Sequence, residues 1–248
     1  MEALMEQLAP NLYLYRDKFY KSFSATVEMF WKAGLIAGVI GLFLGVLLVV
    51  TKKDGISPKP AVYQAVNLVI NIFRSIPFII LLIFLIPLTR AVVGTAINVK
   101  GAILPLVFGT VPFYSRQVEV ALSGVDPGKV EAARSMGSGT VGLIFRVYLR
   151  EAVPDLVRVT TVTAISLIGL TTMAGAVGAG GIGSFAINYG QNQNHPDIVN
   201  VCVVTLLIVT FILQSLGNGL SRKTTNRGFL TRRHDTGIHN TGRKEGIL

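Results

Sequence analysis

The residues best suited to specific recognition in this chain lie in the stretch EAARSMG, residues 131–137. Asp126 and Pro127 precede it and are residue types that begin helices, whereas Gly137 is of the type that ends them. The stretch predicts a helix of little more than two turns, which is marginal in isolation and must be held by packing. Its alanines permit close approach, and Glu131 offers a negative charge. The spacing alone is consistent with two interpretations: a helix that docks into a partner, and a solvated loop with helical propensity.

A second short helix is predicted directly after this stretch, in GTVGLIFRVYLREAV (residues 139–153). Pro154 ends it. Its apolar residues recur at the spacing of one helix face, which is typical of an amphipathic helix: Val141, Ile144, Phe145, Tyr148 and Ala152.

Sequence patterns for catalysis are absent. The chain has no HExxH, no GxSxG and no GxxxxGK[ST], so it carries no phosphate-binding loop for ATP. Its single cysteine, Cys202, excludes an internal disulfide and a cysteine-based metal site. GAGGIG (residues 178–183) matches GxGxxG, but a membrane helix is predicted before it instead of a strand. We predict no catalytic residues, no metal site, no enzymatic activity and no cofactor bound by this chain.

The composition indicates a membrane protein. Of 248 residues, 51% are hydrophobic and 15% are charged, against roughly 25% charged in soluble domains. The net charge of +10 is compatible with nucleic-acid binding. However, the basic residues lie between apolar stretches, as they do in cytoplasmic loops of membrane proteins. We therefore predict no nucleic-acid partner.

Five stretches are long and apolar enough to cross a bilayer as helices. The predicted fold is all-α, a polytopic bundle of five transmembrane helices with a cytoplasmic helical loop. Pro77, Pro105 and Pro112 fall inside the stretches, where neighbouring helices can satisfy the freed carbonyls. The five predicted spans are residues 25–50, 61–88, 101–122, 155–177 and 198–217.

Lysine and arginine distribution predicts the orientation. Basic residues concentrate in the loop after the first span, in the segment between spans three and four, which includes Arg116, and in the tail. The positive-inside rule then places the N-terminus outside and the C-terminus in the cytoplasm. We predict an amphipathic extracytoplasmic segment (1–21), a transmembrane domain (22–218) and a basic cytoplasmic tail (219–248). The tail is expected to be disordered and attracted to anionic lipid headgroups.

Polar residues on the second span are candidates for the translocation path. Gln64, Asn67, Asn71 and Arg74 share one helix face, and ionisable residues at membrane depth usually face an interior or a water-filled path. Interhelical hydrogen bonding is the favoured alternative for Gln64 and Asn67. The glycine-rich stretch near the predicted outer mouth is interpreted in two ways that do not exclude each other: a flexible or broken helix end lining a cavity, and a site of close helix packing. The path or gate candidates are Asn71, Arg74, Met173, Gly178, Gly180 and Gly181.

The loop resembles the EAA loop of type I, binding-protein-dependent ABC importer permeases. Arg150 stands where that pattern has proline, and Pro154 is the proline nearest to it. RSIPFIILLIFLIPLTR (residues 74–90) and AGAVGAGGIG (residues 174–183) are similar to the methionine-importer branch, and the resemblance covers about residues 22–218. The positions that match the EAA pattern are Glu131, Ala132, Ala133, Gly137, Val147 and Leu149.

The resemblance implies a permease homodimer in the bacterial inner membrane, with two cytoplasmic ATPase subunits that bind ATP and Mg²⁺, an extracytoplasmic solute-binding protein and membrane lipids as partners. Glu131, Ala132, Ala133 and Gly137 would form the ATPase-docking site. The implied function is import of methionine or a related amino acid by alternating access.

Three alternatives stay open: the same architecture for another small solute, a non-transporting scaffold, and an ion-driven carrier. Arg74 argues against a scaffold, and the EAA helix argues against an ion-driven carrier. The polar segment at residues 187–197 is either a contact for the solute-binding protein or a plain surface loop.

Overall fold

The computed structural model describes residues 10–235, with side chains for residues 11–224. All elements in this range are helical, so the all-α prediction is confirmed. Three consecutive helical segments, Thr140–Gly142, Leu143–Tyr148 and Leu149–Glu151, are together called α8. The other α-helices are α1 Pro10–Leu14, α2 Arg16–Thr51, α3 Pro60–Ser75, α4 Phe78–Phe84, α5 Ile86–Val93, α6 Asn98–Ser123, α7 Pro127–Ser135, α9 Val153–Ala174, α10 Gly181–Phe185 and α11 Pro196–Asp235. Short π-helical segments, Gly175–Ala179 and Ala186–Gln191, follow α9 and α10.

Three segments are each long and apolar enough to cross a membrane: Arg16–Thr51, Val153–Ala179 and Pro196–Thr224. Two further spans follow only if the bent pairs α3 with α4 and α5 with α6 are each counted as one. The prediction of several apolar spans is confirmed, whereas the count of five stays a prediction.

Small residues on α2 set the packing of the bundle. Ala33, Ala37, Gly41 and Gly45 recur every fourth position and are all buried, which lets the backbones of α2 and α6 approach closely. A Cβ atom at Gly45 would lie only 2.5 Å from Cβ of Val118 on α6. Helix α2 is thus one wall of the core, and it runs unbroken through the predicted domain division at residue 22.

Proline acts differently at different positions. Pro105 and Pro112 lie inside the continuous helix α6, as expected. At Pro77 the chain instead bends by 103° between α3 and α4. Ile76 is extended, with φ of −87° and ψ of 123°, because proline disfavours helical geometry in the residue before it. The second predicted span is therefore broken.

The start of the described chain is fastened to the segment between α10 and α11. Asn11 donates from its backbone N–H and side-chain amide to the Asp197 carboxylate, each at 3.1 Å. The Tyr15 hydroxyl donates to Gln193 at 3.0 Å, and its ring lies 4.9 Å from that of Tyr189. These contacts hold α1 and the start of α2 against the polar segment at residues 187–197.

Helix α11 continues beyond its apolar part to Asp235, whereas the sequence led us to expect disorder from residue 219. A helix already nucleated by an apolar segment gains one backbone hydrogen bond for each residue it adds, so polar residues can extend it. The rest of the predicted tail, residues 236–248, and the first nine residues of the predicted N-terminal segment lie outside the described residues.

Candidate functional site

Helix α7 has the start and stop that its sequence predicts. The Asp126 carboxylate accepts a hydrogen bond from the backbone N–H of Gly128 at 2.9 Å, and Pro127 occupies the first turn. After the helix, Gly137 has a φ of +83°, a left-handed conformation that strains other residues. Its N–H donates to the carbonyl of Arg134 at 2.9 Å. The predicted boundaries of this helix are confirmed.

The four predicted docking residues do not share one surface. Glu131, Ala132 and Gly137 are exposed. Ala133 is only 8% exposed, and α7 packs against the Leu143–Tyr148 segment of α8. We infer that Ala133 packs inside the loop, between α7 and α8. A larger side chain at this position would therefore disturb the packing of the loop itself, whether or not a partner is bound. The docking role of the other three residues stays a prediction.

Two contacts from other parts of the chain brace α7. Lys129 forms an ion pair with Glu151 in α8, and both side chains are nearly half exposed, so the pair contributes at most about 1 kcal/mol. Arg134 donates from Nη2 to the carbonyl of Ile56 at 3.0 Å, in the loop after α2. Helix α7 is therefore held from two sides, by the end of α8 and by the loop that follows α2.

A polar cavity of about 340 Å³ lies beside α7. Its lining includes Lys52, Asp54, Glu131, Arg134 and Tyr148. Burial raises the pKa of the Tyr148 hydroxyl, and the positive charge of Arg134 partly offsets that rise. The tyrosine therefore stays protonated at neutral pH, and it can donate a hydrogen bond in this cavity.

An apolar patch lies on the same loop, next to the turn at Gly137. Met136, Val141 and Phe145 are 79%, 68% and 65% exposed, and they line a depression of about 480 Å³. Exposed apolar side chains are expected within spans that lie in a bilayer, but this loop lies between α6 and α9, outside the apolar stretches. A contiguous exposed apolar patch is typical of a surface that contacts another protein, a membrane or a ligand.

Sequence reasoning missed this patch. It placed Val141 and Phe145 on the apolar face of an amphipathic helix and assigned no partner to that face. The structure instead buries Leu143, on another side of the helix, and leaves Phe145 exposed. Met136, a large apolar residue immediately before the turn glycine, was the available signal.

A membrane polar cluster joins α3 to α6. Arg116 and Glu119 on α6 form an ion pair, and Glu119 is only 8% exposed. Arg116 also donates from Nη2 to Asn71 Oδ1 at 3.0 Å and to the side-chain oxygen of Asn67. The Tyr63 hydroxyl donates to Glu119 Oε1 at 3.3 Å. Each charge thus has several partners, as charges removed from water require.

This cluster corrects one assignment and supports another. Arg116 was counted with the basic segment between spans three and four, but it lies inside α6, about 10 Å of helix before its end at Ser123. Interhelical bonding, the favoured alternative for Asn67, is what the geometry shows. Asn71 takes part in the same network, and its predicted place on the path stays a prediction.

Arg74 and Met173 lie away from this network. Among the described residues, Arg74 forms no ion pair or hydrogen bond, and its side chain is exposed close to the Pro77 bend. Met173 is 39% exposed, next to the last residue of α9. Their predicted role at the path or gate stays a prediction.

The glycine-rich stretch interrupts the helix after α9. Gly178, Gly180 and Gly181 have φ values of +93°, +82° and +81°, so the chain leaves helical geometry between α9 and α10. The N–H of Ile182 then donates to Thr26 Oγ1 at 2.8 Å, which fastens the start of α10 to α2. A broken helix end is confirmed, whereas its lining of the path stays a prediction. No group of three or more potential metal ligands occurs within residues 10–235.

Residues 33–226 match the protein family described as the binding-protein-dependent transport system inner membrane component. The probable D-methionine transport system permease protein MetI of Vibrio cholerae is 41% identical over 202 residues, which cover 82% of this chain and 90% of that protein. The methionine import system permease protein MetP of Bacillus subtilis is 46% identical over 172 residues, covering 69% of this chain and 78% of that protein.

Among solved structures, the inward-facing MetNI methionine ABC transporter contains a chain that superposes with a TM-score of 0.83 at 40% identity. The match covers 85% of this chain and 97% of that one. The resemblance stated from the sequence is therefore confirmed. The chain belongs to the family of binding-protein-dependent transport system inner membrane components.

Proposed function

We propose that this chain is the permease subunit of an ATP-driven importer for methionine or a related amino acid. Two copies enclose the path, two ATPase subunits bind ATP and Mg²⁺ and dock at the α7 loops, and a solute-binding protein delivers the substrate from outside. The names of the relatives support the substrate class, since two of them are described as methionine or D-methionine permeases.

The observation that carries the ATPase-docking part is the apolar patch beside α7. Met136, Val141 and Phe145 expose large apolar surface on a loop that also carries the EAA motif. A solute path needs no such surface outside the bilayer, and neither does a loop that is merely solvated. A partner that covers the patch removes that surface from water, which favours its binding.

The position of α7 in the chain supports coupling. It lies between the end of α6 at Ser123 and the start of α8 at Thr140, and α8 leads within two residues into α9. A displacement of α7 by the ATPase is therefore passed to two long membrane helices. The membrane polar cluster fixes α3 to α6, so α3 moves with them. Such coupling requires two discrete arrangements of the assembly.

Basic residues support an orientation with the N-terminus outside and the C-terminus in the cytoplasm. Tyr13 and Lys223 are exposed near the two ends of the described chain. In a Cys202→Ser background, a membrane-impermeant thiol reagent added to intact cells should label Tyr13→Cys and leave Lys223→Cys unlabelled. The opposite pattern would reverse the proposed orientation.

Arg74 is proposed to line the path, because it is an exposed cation of α3 close to a sharp bend and has no partner among residues 11–224. Arg74→Ala should lower substrate uptake about tenfold or more, since a positioned charge contributes roughly 1.5–3 kcal/mol through hydrogen bonds to a polar substrate. Arg74→Lys should retain part of the activity. The measurement is uptake normalised to assembled complex, and uptake at the parental level in Arg74→Ala would remove this residue from the path.

Uptake of labelled amino acids by the reconstituted assembly tests the proposal as a whole. Methionine should be accumulated in preference to amino acids of unrelated size or charge. ATP-driven uptake of another solute alone would support the importer assignment and contradict methionine as the substrate. No transport of any solute would favour a scaffold.

A further inference from the structure

A groove on the membrane face of the bundle has no role in the proposed transport cycle. It lies between α2 on one side and α6 and α9 on the other, with a volume of about 420 Å³. Gly34, Leu35 and Gly38 line it from α2, and Tyr114 and Ala164 line it from the opposite side. Helices α2 and α9 each belong to a segment long and apolar enough to cross a membrane, and α6 belongs to the bent pair α5 with α6, which passes the same test as a pair.

The groove exists because α2 carries glycine on two successive turns of this face, Gly34 and Gly38. A Cβ atom at Gly38 would meet no atom within 4 Å, so this glycine leaves space that the bundle does not fill. Leu35 and Val39 beside it are 63% and 72% exposed. The rim is therefore apolar and faces the hydrocarbon of the bilayer.

The polar atoms in the walls of the groove need no hydrogen bond from an occupant. The hydroxyls of Tyr114 and Thr160 bond to each other at 2.8 Å, and Thr163 donates to the carbonyl of Val159 at 2.8 Å. Within the described part of the chain the Thr110 hydroxyl has no hydrogen-bond partner, but it is buried and offers almost no surface to the groove. An occupant therefore meets an almost wholly apolar surface.

The length of the groove matches one leaflet. Its lining on α2 runs from Phe30 to Leu42, about 18 Å of helix, close to half of a hydrocarbon core of roughly 30 Å. Trp31 lies at one end, and Lys32 beside it pairs with Glu28 at 2.5 Å. Tryptophan and lysine are typical of the headgroup interface.

We propose that the groove binds one acyl chain of a phospholipid, in the leaflet nearest the N-terminal end of α2. The chain lies along Gly34 and Gly38, and the headgroup sits near Trp31 and Lys32. Such a lipid would fill the space between α2 and the two helices that precede and follow the α7–α8 loop, α6 and α9.

Trp31 is the single tryptophan of this chain and reports directly on the site. The assembled permease–ATPase complex is delipidated in detergent and titrated with a phospholipid brominated on the acyl carbons nearest the headgroup, because the proposed pose places those carbons beside Trp31 and bromine quenches tryptophan fluorescence on contact. The same complex with Trp31→Phe supplies the signal of all other tryptophans, which is subtracted. The parent should show saturable quenching with about one lipid per permease chain.

Gly38→Leu should fill the groove and weaken the saturable binding about tenfold or more, since overpacking a fitted site typically costs about 1–3 kcal/mol. Ala164→Leu fills it from the opposite wall and should act alike, which covers the case that one variant does not assemble. Gly169→Leu is the matched control, because Gly169 is exposed on α9, outside the groove, and also has open space at its Cβ.

The proposal fails if the parent shows no saturable quenching, which is also the outcome expected if a second copy covers Trp31. It fails equally if both filling variants bind the brominated lipid as tightly as Gly169→Leu does. The proposal is supported if Gly38→Leu and Ala164→Leu lose the saturable binding of the brominated lipid and Gly169→Leu retains it.

Discussion

Replacing Phe145 by alanine is expected to weaken binding of the ATPase about tenfold while leaving insertion and assembly of the permease unchanged. Phe145 is 65% exposed, so it adds little to the fold of this chain. In a protein interface, truncating a central aromatic anchor typically costs more than 1 kcal/mol, and each 1.4 kcal/mol is tenfold in affinity. The measurement is a titration of purified ATPase against the permease in nanodiscs.

Thr140→Ala is the matched control, since Thr140 is exposed at the start of the same helix and lies outside the apolar patch. It should bind the ATPase like the parent. Met136→Ala should act in the same direction as Phe145→Ala. Equal affinity for the parent, Phe145→Ala and Met136→Ala would mean that the patch is not the docking surface.

Removal of Arg116 should have the largest effect on stability. Arg116→Ala leaves the Glu119 carboxylate buried without its cation, and breaking a buried pair on one side costs roughly 3–5 kcal/mol. The two asparagines of α3 also lose their donor. The expected result is a large fall in the thermal stability of the detergent-solubilised complex.

The double variant Arg116→Met with Glu119→Leu distinguishes the contribution of the two charges to stability from the contribution of side-chain packing. It removes both charges and keeps apolar volume, and such replacements are often neutral or stabilising. It should recover most of the stability lost in Arg116→Ala. A single variant as stable as the parent would show that the pair does not hold α3 against α6.

Local features of the chain were predictable because their signals are local. Apolar length predicts the spans, and the boundaries of α7 follow from Asp126, Pro127 and Gly137, whose conformational preferences depend little on the rest of the fold. The break at residues 178–181 also follows from the conformations that glycine permits.

Features that depend on tertiary neighbours were not predictable. Pro77 bends the chain sharply, whereas Pro105 and Pro112 remain within α6, because the outcome depends on which neighbouring groups satisfy the freed carbonyls. The pairing of Arg116 with α3 joins residues 45 positions or more apart. The burial of Ala133 and the exposure of Phe145 depend on how α7 and α8 pack together, and helical spacing alone leaves that rotation undetermined.

ATP-driven methionine uptake into proteoliposomes tests the central claim most directly. The vesicles contain this permease with its ATPase. The solute-binding protein and labelled methionine are added on the side of the membrane opposite to the ATPase. We predict accumulation that requires ATP hydrolysis and each of the three components, and that falls with Phe145→Ala but not with Thr140→Ala. Methionine accumulation that persists without ATP, or its absence from an assembly that hydrolyses ATP and binds the loaded binding protein, would contradict the account.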